Sequence, residues 1–350
     1  MSVGGTVQPA NMPSIDPVTE DAGAARPAAS TPHPLLRLLS RRVPLGLLSI
    51  VVAAVIVYWA TLVLPGDAAT SILGQSATPE RLAQLRQKLG LDEPPLQSFV
   101  RWFSGLLHGD FGTSLTQQRP VWDVVEPRLL NSAVLVLIAA VLSTIVGIVM
   151  GLMAARRPDR LTDTAFSVGA LVASALPEFV VAVFVILTLS VGLFHWFPAI
   201  SALPPGEYVW EHPDKLVLPA ITLLIVVTPY VFRMVRAATI EALRADYSEV
   251  AVLKGTTQAR LLYRHALPNA LAPTIQVVGL NLLYLAGGIV MVETVFTYPG
   301  VGLTLVGAIE SRDIPLVQFL VVLLAIFYVT VNIAADVGVL LVTPRKRFPR

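Results

Sequence analysis

Between two long apolar runs the chain carries a polar stretch, Asp246-Tyr-Ser-Glu249-Val-Ala251-Val-Leu-Lys-Gly255-Thr-Thr-Gln-Ala-Arg-Leu-Leu-Tyr-Arg-His265-Ala-Leu267-Pro268. Its carboxylates and cations form no catalytic pattern. The chemistry this surface suits is recognition, and it reads as a docking surface for a cytoplasmic partner. Asp246 followed three residues later by Glu249 is a capping-box-like helix start. Gly255 suits a left-handed helix end, where a side chain would clash. Together they predict a helix of about two turns over Tyr247–Lys254. Thr256 or Thr257 can cap a second short helix, which a proline should stop near Pro268. Helices this short do not persist alone in water, so the elbow must pack on the rest of the chain or on a partner. Glu249 therefore has two readings, helix cap and docking contact, and both can hold at once.

A second set of polar groups lies inside the apolar runs. Asn281, Asn332 and Asp336 must face a bundle interior or a watery path. Asn332 and Asp336 are four residues apart and share a helix face. An interhelical hydrogen bond or interfacial anchor competes there with substrate contact. Pro177 breaks a helical ladder, as a kink or as a gate hinge. Pro299-Gly300 marks a turn, or a re-entrant loop lining the outer mouth. These six residues are the candidates for a passage or gate. Gly279 and Gly287-Gly288 permit close helix approach. His108, His195 and His212 are scattered without metal-ligand spacing, so no metal site is expected.

Nucleotide hydrolysis is excluded by the lysines. The phosphate-binding loop GxxxxGK[ST] needs a lysine followed by Ser or Thr, and Lys88, Lys215, Lys254 and Lys346 are followed by Leu, Leu, Gly and Arg. No GxSxG elbow or HExxH occurs either. The chain is expected to be no enzyme and to hold no cofactor, so any power stroke must come from separate subunits.

The composition says where these groups sit. Of 350 residues 55% are hydrophobic and 14% charged, against about 25% charged in a soluble domain. This is a polytopic membrane protein. Cysteine is absent, which removes disulfides, thiolate metal sites and lipidated cysteine anchors. A net charge of +2 gives no footprint for nucleic acid. Residues 1–36, rich in Ala, Pro, Ser and Thr, are expected to be a disordered cytoplasmic tail. At roughly 20 apolar residues per span, six runs qualify: about 44–64 (the first helix, taken from 37), 131–155, 166–194, 216–235, 273–295 and 316–342. Residues 65–127 form an insertion with aromatic helical spacing at Phe99, Trp102, Phe103 and Leu106, and with a helix expected from Thr78 to Gly90. Residues 128–342 form the core with five further helices, the loop at 237–270 and a basic tail at 343–350. Basic clusters at Arg37–Arg42, Arg156–Arg160, Arg233–Arg264 and Arg345–Arg350 fall on one side of six spans. Lysine and arginine excess marks the cytoplasm, so both termini and the elbow are expected there and the insertion outside.

Glu249-Val250-Ala251, three residues, Gly255, nine residues and His265-Ala266-Leu267-Pro268 resemble the EAA loop of ABC importer permeases. Val250 and His265 depart from its usual alanine and isoleucine. The run Tyr263–Pro273 is similar to the dipeptide/oligopeptide/nickel permease branch, to its first, B-type permease. So are Pro65-Gly-Asp67, Leu89-Gly-Leu-Asp92, Gly109-Asp-Phe-Gly-Thr-Ser114, Ser174-Ala-Leu-Pro177-Glu-Phe179, Phe296-x-x-Pro299-Gly300-Val-Gly302, Arg312-Asp313-Ile-Pro315, and Asn332 with Asp336. The resemblance covers about 37–350 and departs at Thr343-Pro-Arg345. It implies an all-α fold of six transmembrane helices of the type I ABC importer permease, with an extracytoplasmic insertion between the first two. It implies a multi-pass subunit of the bacterial cytoplasmic membrane. Its partners would be a second homologous permease, two ATPase subunits that bind ATP and Mg, and an extracytoplasmic substrate-binding protein. Coupling to the ATPases would fall to Asp246, Glu249, Ala251, Gly255, Leu267 and Pro268. Di- or oligopeptides are the expected cargo; nickel, glutathione and oligosaccharide occur among similar permeases. An ion- or proton-coupled secondary transporter is the alternative of another class. It predicts titratable groups deep in the spans and an inverted repeat.

Overall fold

The computed structural model describes residues 34–63, 78–81, 83–84, 94–204 and 207–342. The expected tail at 1–33, the basic tail at 343–350 and most of the Thr78–Gly90 helix lie outside the described residues. Because hydrocarbon offers backbone groups no hydrogen bonds, an apolar run must satisfy its own amides, and helices do so. Four helices are long and apolar enough to cross a membrane: α1 (Pro34–Val63), α3 (Val121–Ala155), α6 (Pro213–Arg244) and α11 (Ile314–Val342). Two more spans are bent pairs. Leu161–Ala175 (α4) and Glu178–Ile186 (α5), the latter continued by a π turn to Val191, meet at 107°. The helix Leu267–Phe296 (α9) bends by 48° between Leu285 and Gly287. Counting each pair once gives six spans. The shorter helices are α2 (Pro95–Leu107) in the insertion, α7 (Asp246–Leu253) and α8 (Gln258–Leu261) in the elbow, and α10 (Val301–Glu310) before the last span.

Several boundaries differ from the sequence reading. The first helix begins at Pro34, not 37, so it takes the end of the expected tail. The second span begins at Val121, and the boundary at 127/128 falls inside a continuous helix that carries Pro127. A hydropathy window stops early there because the first turns hold Asp123, Glu126 and Arg128. Thirty-five residues make a helix of roughly 52 Å, longer than a hydrocarbon core of about 30 Å, so charged turns can stand outside it. The fourth span likewise runs on to Arg244, which gives residues 237–244 of the expected loop to α6. The third span is not one helix from 166 to 194. Leu176, held extended by the proline after it (φ −85°, ψ 135°), ends α4, and Pro177 starts α5.

The core is built where helices cross. α3 lies along α6 so closely that a Cβ at Gly147 would stand 2.6 Å from Val231 Cβ, and one at Gly151 would stand 2.8 Å from Val235 Cβ. Small residues one turn apart let two membrane helices gain packing that lipid cannot give. Leu135 and Ala139 of α3, Leu223 and Val227 of α6, Val181 of α5 and Leu285 and Val292 of α9 close one buried cluster. Ala54 of α1, Val121 and Val124 of α3, and Leu316 and Leu320 of α11 close a second, on which Trp102, Phe103 and Phe111 of the insertion pack. The aromatic spacing at 99–106 is thus one face of α2, and Tyr58 of α1 donates to the Pro95 carbonyl at 2.9 Å.

Gly147→Val and Gly151→Val should each lower the melting temperature of the detergent-purified chain by several degrees, because α3 must retreat from α6. Gly169→Ala, with nothing within 4 Å of its Cβ position, should leave it unchanged. Fluorescence-detected thermal unfolding reads the difference.

Candidate functional site

The elbow begins where α6 ends. Ala245, in extended conformation (φ −73°, ψ 149°), is the single residue between α6 and α7 and serves as the N-cap of α7. Asp246 is therefore the first helical residue rather than the cap, and the capping box expected of Asp246 and Glu249 is not formed by it. The seat comes from Ser248, fully buried, whose hydroxyl donates to the Ala242 carbonyl at 2.7 Å. Gly255 ends α7 in the left-handed region at φ +82°, as the sequence predicts. Thr257 starts α8: its Oγ1 accepts from the Arg260 amide at 3.4 Å.

Pro268 does not stop the second helix. Residues Leu262–Ala266 form a π turn that runs straight into α9. The Leu267 amide reaches back five residues to the Leu262 carbonyl, and Pro268 then sits in the first turn of α9. A proline is tolerated there because widening the preceding turn relieves the carbonyl its ring would strike. Of the expected coupling residues, Asp246, Gly255 and Pro268 are exposed, Ala251 and Leu267 half-buried. Buried Leu262 and Ala266 anchor the elbow against Leu152, Val235 and Ala242. Val250 and Leu253 point outward, Leu253 at 87% exposure.

The loop Arg156–Arg160 lies at this same end. Ala155, Arg156 and Pro158 share a cleft with Leu243, Arg244, Val252 and Leu261. Just inside it, Arg236 of α6 forms a bidentate pair with buried Asp163 of α4 (Nε to Oδ1 2.5 Å, Nη2 to Oδ2 2.6 Å), and the Asp159 amide donates to the same carboxylate at 2.8 Å. Two charges and a loop amide are thus satisfied together, which is what makes a buried pair tolerable. The sequence reading placed Arg236 on the elbow surface. A charge eight residues before the end of an apolar helix is the signal for the pair.

The opposite end is tied by a knot that sequence reasoning did not assemble. Glu293, fully buried near the end of α9, accepts from Ser132 Oγ of α3 (2.5 Å) and from the amides of Gly302 (2.7 Å) and Leu303 (3.1 Å). Ser132 Oγ in turn accepts from the Val301 amide at 2.8 Å. The first three amides of α10 are therefore capped from two other spans. Gly300, the N-cap of α10, has no side chain to do this, and a Cβ there would stand 2.0 Å from Glu293 Oε1. Asn131 joins in: its Nδ2 donates to the Pro299 carbonyl (3.0 Å), its Oδ1 accepts from the Val209 amide (3.2 Å), and its carbonyl accepts from the Tyr298 hydroxyl (2.7 Å). Pro299 and Gly300 are thus the fixed turn of this knot.

The insertion is fastened beside it. Asp313, fully buried before α11, accepts from the Ser114 hydroxyl, the Leu115 amide (3.0 Å), the Thr116 amide (3.2 Å) and the Thr116 hydroxyl (2.7 Å). Two motifs nearly 200 residues apart in the chain, ending at Ser114 and beginning at Arg312, meet there. Of the remaining candidates, Asp336 pairs with Arg42 of α1 at 2.8 Å, and Asn332 donates within its own helix to the Tyr328 carbonyl at 3.3 Å. Asn281 is buried with its Nδ2 unpartnered among the described residues. Pro177 lies exposed at the 107° break. The structure does not gather these six into one site.

Residues 147–348 match the family described as binding-protein-dependent transport system inner membrane component, and residues 35–136 match its N-terminal companion. A probable peptide ABC transporter permease of Sinorhizobium fredii is 34% identical over 284 residues, 81% of this chain and 90% of that one. A putative peptide transport system permease of Brucella abortus is 33% identical over 89% of this chain and 99% of its own. A glutathione transport system permease of Shigella flexneri is 33% identical over 87% and 97%. Among solved structures, the inward-facing MetNI methionine ABC transporter aligns at a TM-score of 0.51 and 18% identity, over 64% of this chain and 98% of that one. It shares the fold.

Glu293→Ala should strip the α10 amides of their acceptor in a buried place. Each buried donor left bare costs about 1–3 kcal/mol, so the variant should melt well below wild type and open to protease between α9 and α10. Ser132→Ala should show the same effect, smaller.

Proposed function

The chain belongs to the family of binding-protein-dependent transport system inner membrane components, and on that premise we propose that it is the permease subunit of an ATP-driven importer of di- or oligopeptides, forming half of the passage. The peptide assignment leans on the names of its relatives. A second, homologous permease supplies the other half, two ATPase subunits bind ATP and Mg, and an extracytoplasmic binding protein delivers cargo to the insertion. Family membership favours this over an ion- or proton-coupled secondary transporter.

Coupling falls to the elbow, through Asp246, Glu249, Ala251, Gly255, Leu267 and Pro268. The observation that carries this is its construction: α7 is seated from beneath by Ser248 while Val250 and Leu253 are left outward. Apolar side chains presented on a short, anchored helix suit a groove on a partner. ATP binding would close the ATPase pair and draw the two elbows together, turning the passage outward, and hydrolysis would reset it. The orientation that follows from the arginine-rich loop and elbow sharing one end is cytoplasmic for that end and for both termini.

Gly255→Pro cannot adopt φ +82° and should, like Glu249→Arg, release the ATPase subunits and abolish import while the chain still reaches the membrane. Co-purification of both variants with a full complement of ATPase, and undiminished uptake, would remove the elbow from the coupling role. A thiol introduced at Arg156 should resist an impermeant reagent in intact cells and react once they are permeabilised; labelling in intact cells would invert the topology.

A further inference from the structure

Side chains from three spans meet at the break in the third. Glu178 opens α5 directly after Pro177. Its carboxylate lies against Gly288 of α9, where a Cβ would stand 2.7 Å from Oε1. Tyr284, one turn earlier on α9, brings its hydroxyl beside the same carboxylate. The Tyr284 ring lies 5.5 Å from that of Tyr230 on α6, and the Arg233 guanidinium sits 5.4 Å from the Tyr230 ring centre.

These groups are open on one side. Glu178 is half-buried, Arg233 exposed, and Tyr284 41% exposed. A carboxylate and a guanidinium within spans cannot face acyl chains without a large cost, so such groups front a watery path or another protein. The arginine is partnered by an aromatic ring. The acid has no counter-charge: among the described residues no arginine, lysine or histidine pairs with it. Other carboxylates of the spans are answered, Asp163 by Arg236, Asp336 by Arg42 and Glu293 by three donors. A helix-start preference for acids accounts for a carboxylate at position 178. It does not account for a tyrosine of another span set beside it, or for the glycine that leaves it room.

We propose that Glu178 is the residue of this permease that recognises a protonated amine on the passing cargo, with Tyr284 positioning its carboxylate and Gly288 clearing the space. This rests on the peptide-import reading, where the amine is the peptide's free N-terminus. An ammonium brings one positive charge and three donors, which is what a carboxylate without a counter-charge lacks.

The test uses the complete transporter in proteoliposomes, with its binding protein and ATPases, and compares uptake of a tripeptide and its N-acetyl analogue at saturating binding protein. Wild type should import the free peptide better. Glu178→Gln should cut kcat/KM for the free peptide about tenfold, the scale of one lost charge-assisted hydrogen bond, and leave the acetylated one unchanged, so that the preference vanishes. Glu178→Asp should restore part of it. Gly288→Ala, which keeps the charge but displaces it, should blunt the preference as well, and serves where Glu178→Gln fails to assemble. An equal fall for both peptides would reduce Glu178 to a structural helix start and overturn the proposal, as would no change in either. Wild type importing both peptides equally overturns it while leaving peptide import intact. Wild type importing neither overturns peptide import and this assignment with it. Because the native chain has no cysteine, Glu178→Cys offers a single thiol on this subunit, and its resistance to water-soluble reagents in the assembled transporter would also overturn the proposal.

Discussion

A backbone amide or carbonyl that leaves a helix inside a membrane must find another partner in the protein. This chain leaves its helices repeatedly near the bilayer, and the way each break is answered organises everything else. At 297–300 the answer is Glu293, with Ser132 and Asn131 from another span. At Leu176-Pro177 the proline has no amide to satisfy, so the break is made with one donor fewer. Between the elbow and α9 the π turn passes its bonds five residues back and never leaves the helical ladder. The knot at Glu293 is the most demanding of these, because a fully buried carboxylate is tolerable only while all its donors stay in place.

That demand makes the two ends of the bundle different in kind. At the insertion end, α3, α9, α10, the start of α11 and residues 114–116 of the insertion are cross-linked by Asn131, Ser132, Glu293 and Asp313, most of whose partners lie far away in sequence. At the other end the elbow joins α6 through Ala245, an extended single residue, runs into α9 through the π turn, and is seated by one serine and the apolar contacts of Leu262 and Ala266. α6 runs unbroken between the two, 32 residues or roughly 48 Å. A push on the elbow therefore reaches α6 through a one-residue joint and α9 through a continuous turn, and the far end of α6 abuts a loop held by Asn131. The Asp163–Arg236 pair sits where the rod passes the first half of the broken span, so that displacement of α6 must either carry α4 with it or break two charge-assisted bonds.

Much of this was legible in the sequence, and what was not has identifiable causes. Six apolar runs gave six spans because the bilayer sets their length, and Gly255 gave its left-handed turn because few other residues adopt it without strain. Boundaries slipped at Pro34, Val121 and Arg244 because hydropathy measures the slab, whereas helices run past it. The elbow's second helix was expected to end at Pro268 because a proline rule knows only the α ladder; a π turn evades it. The proline at 177 was read as a kink, and its consequence is a 107° turn. Proline removes one bond, and how far the chain then swings is decided by what the second half packs on, which is tertiary. The Glu293 knot stayed hidden because each member looks ordinary alone: a serine, an asparagine, an acid near a span end.

The polar groups within the spans then divide by a single physical criterion, whether the fold itself completes them. Asp163, Glu293 and Asp336 have their charge or hydrogen-bond partners in this chain, and removing any of those partners leaves a group that hydrocarbon penalises. Such groups fix helices against one another and leave nothing over for a ligand. Glu178 has a tyrosine beside it and, among the described residues, no cation paired with it, where α5, α6 and α9 meet. An importer must offer its cargo some unspent interaction, yet one weak enough to release. A carboxylate that the fold leaves unneutralised meets that requirement, and it stands where the third span changes direction.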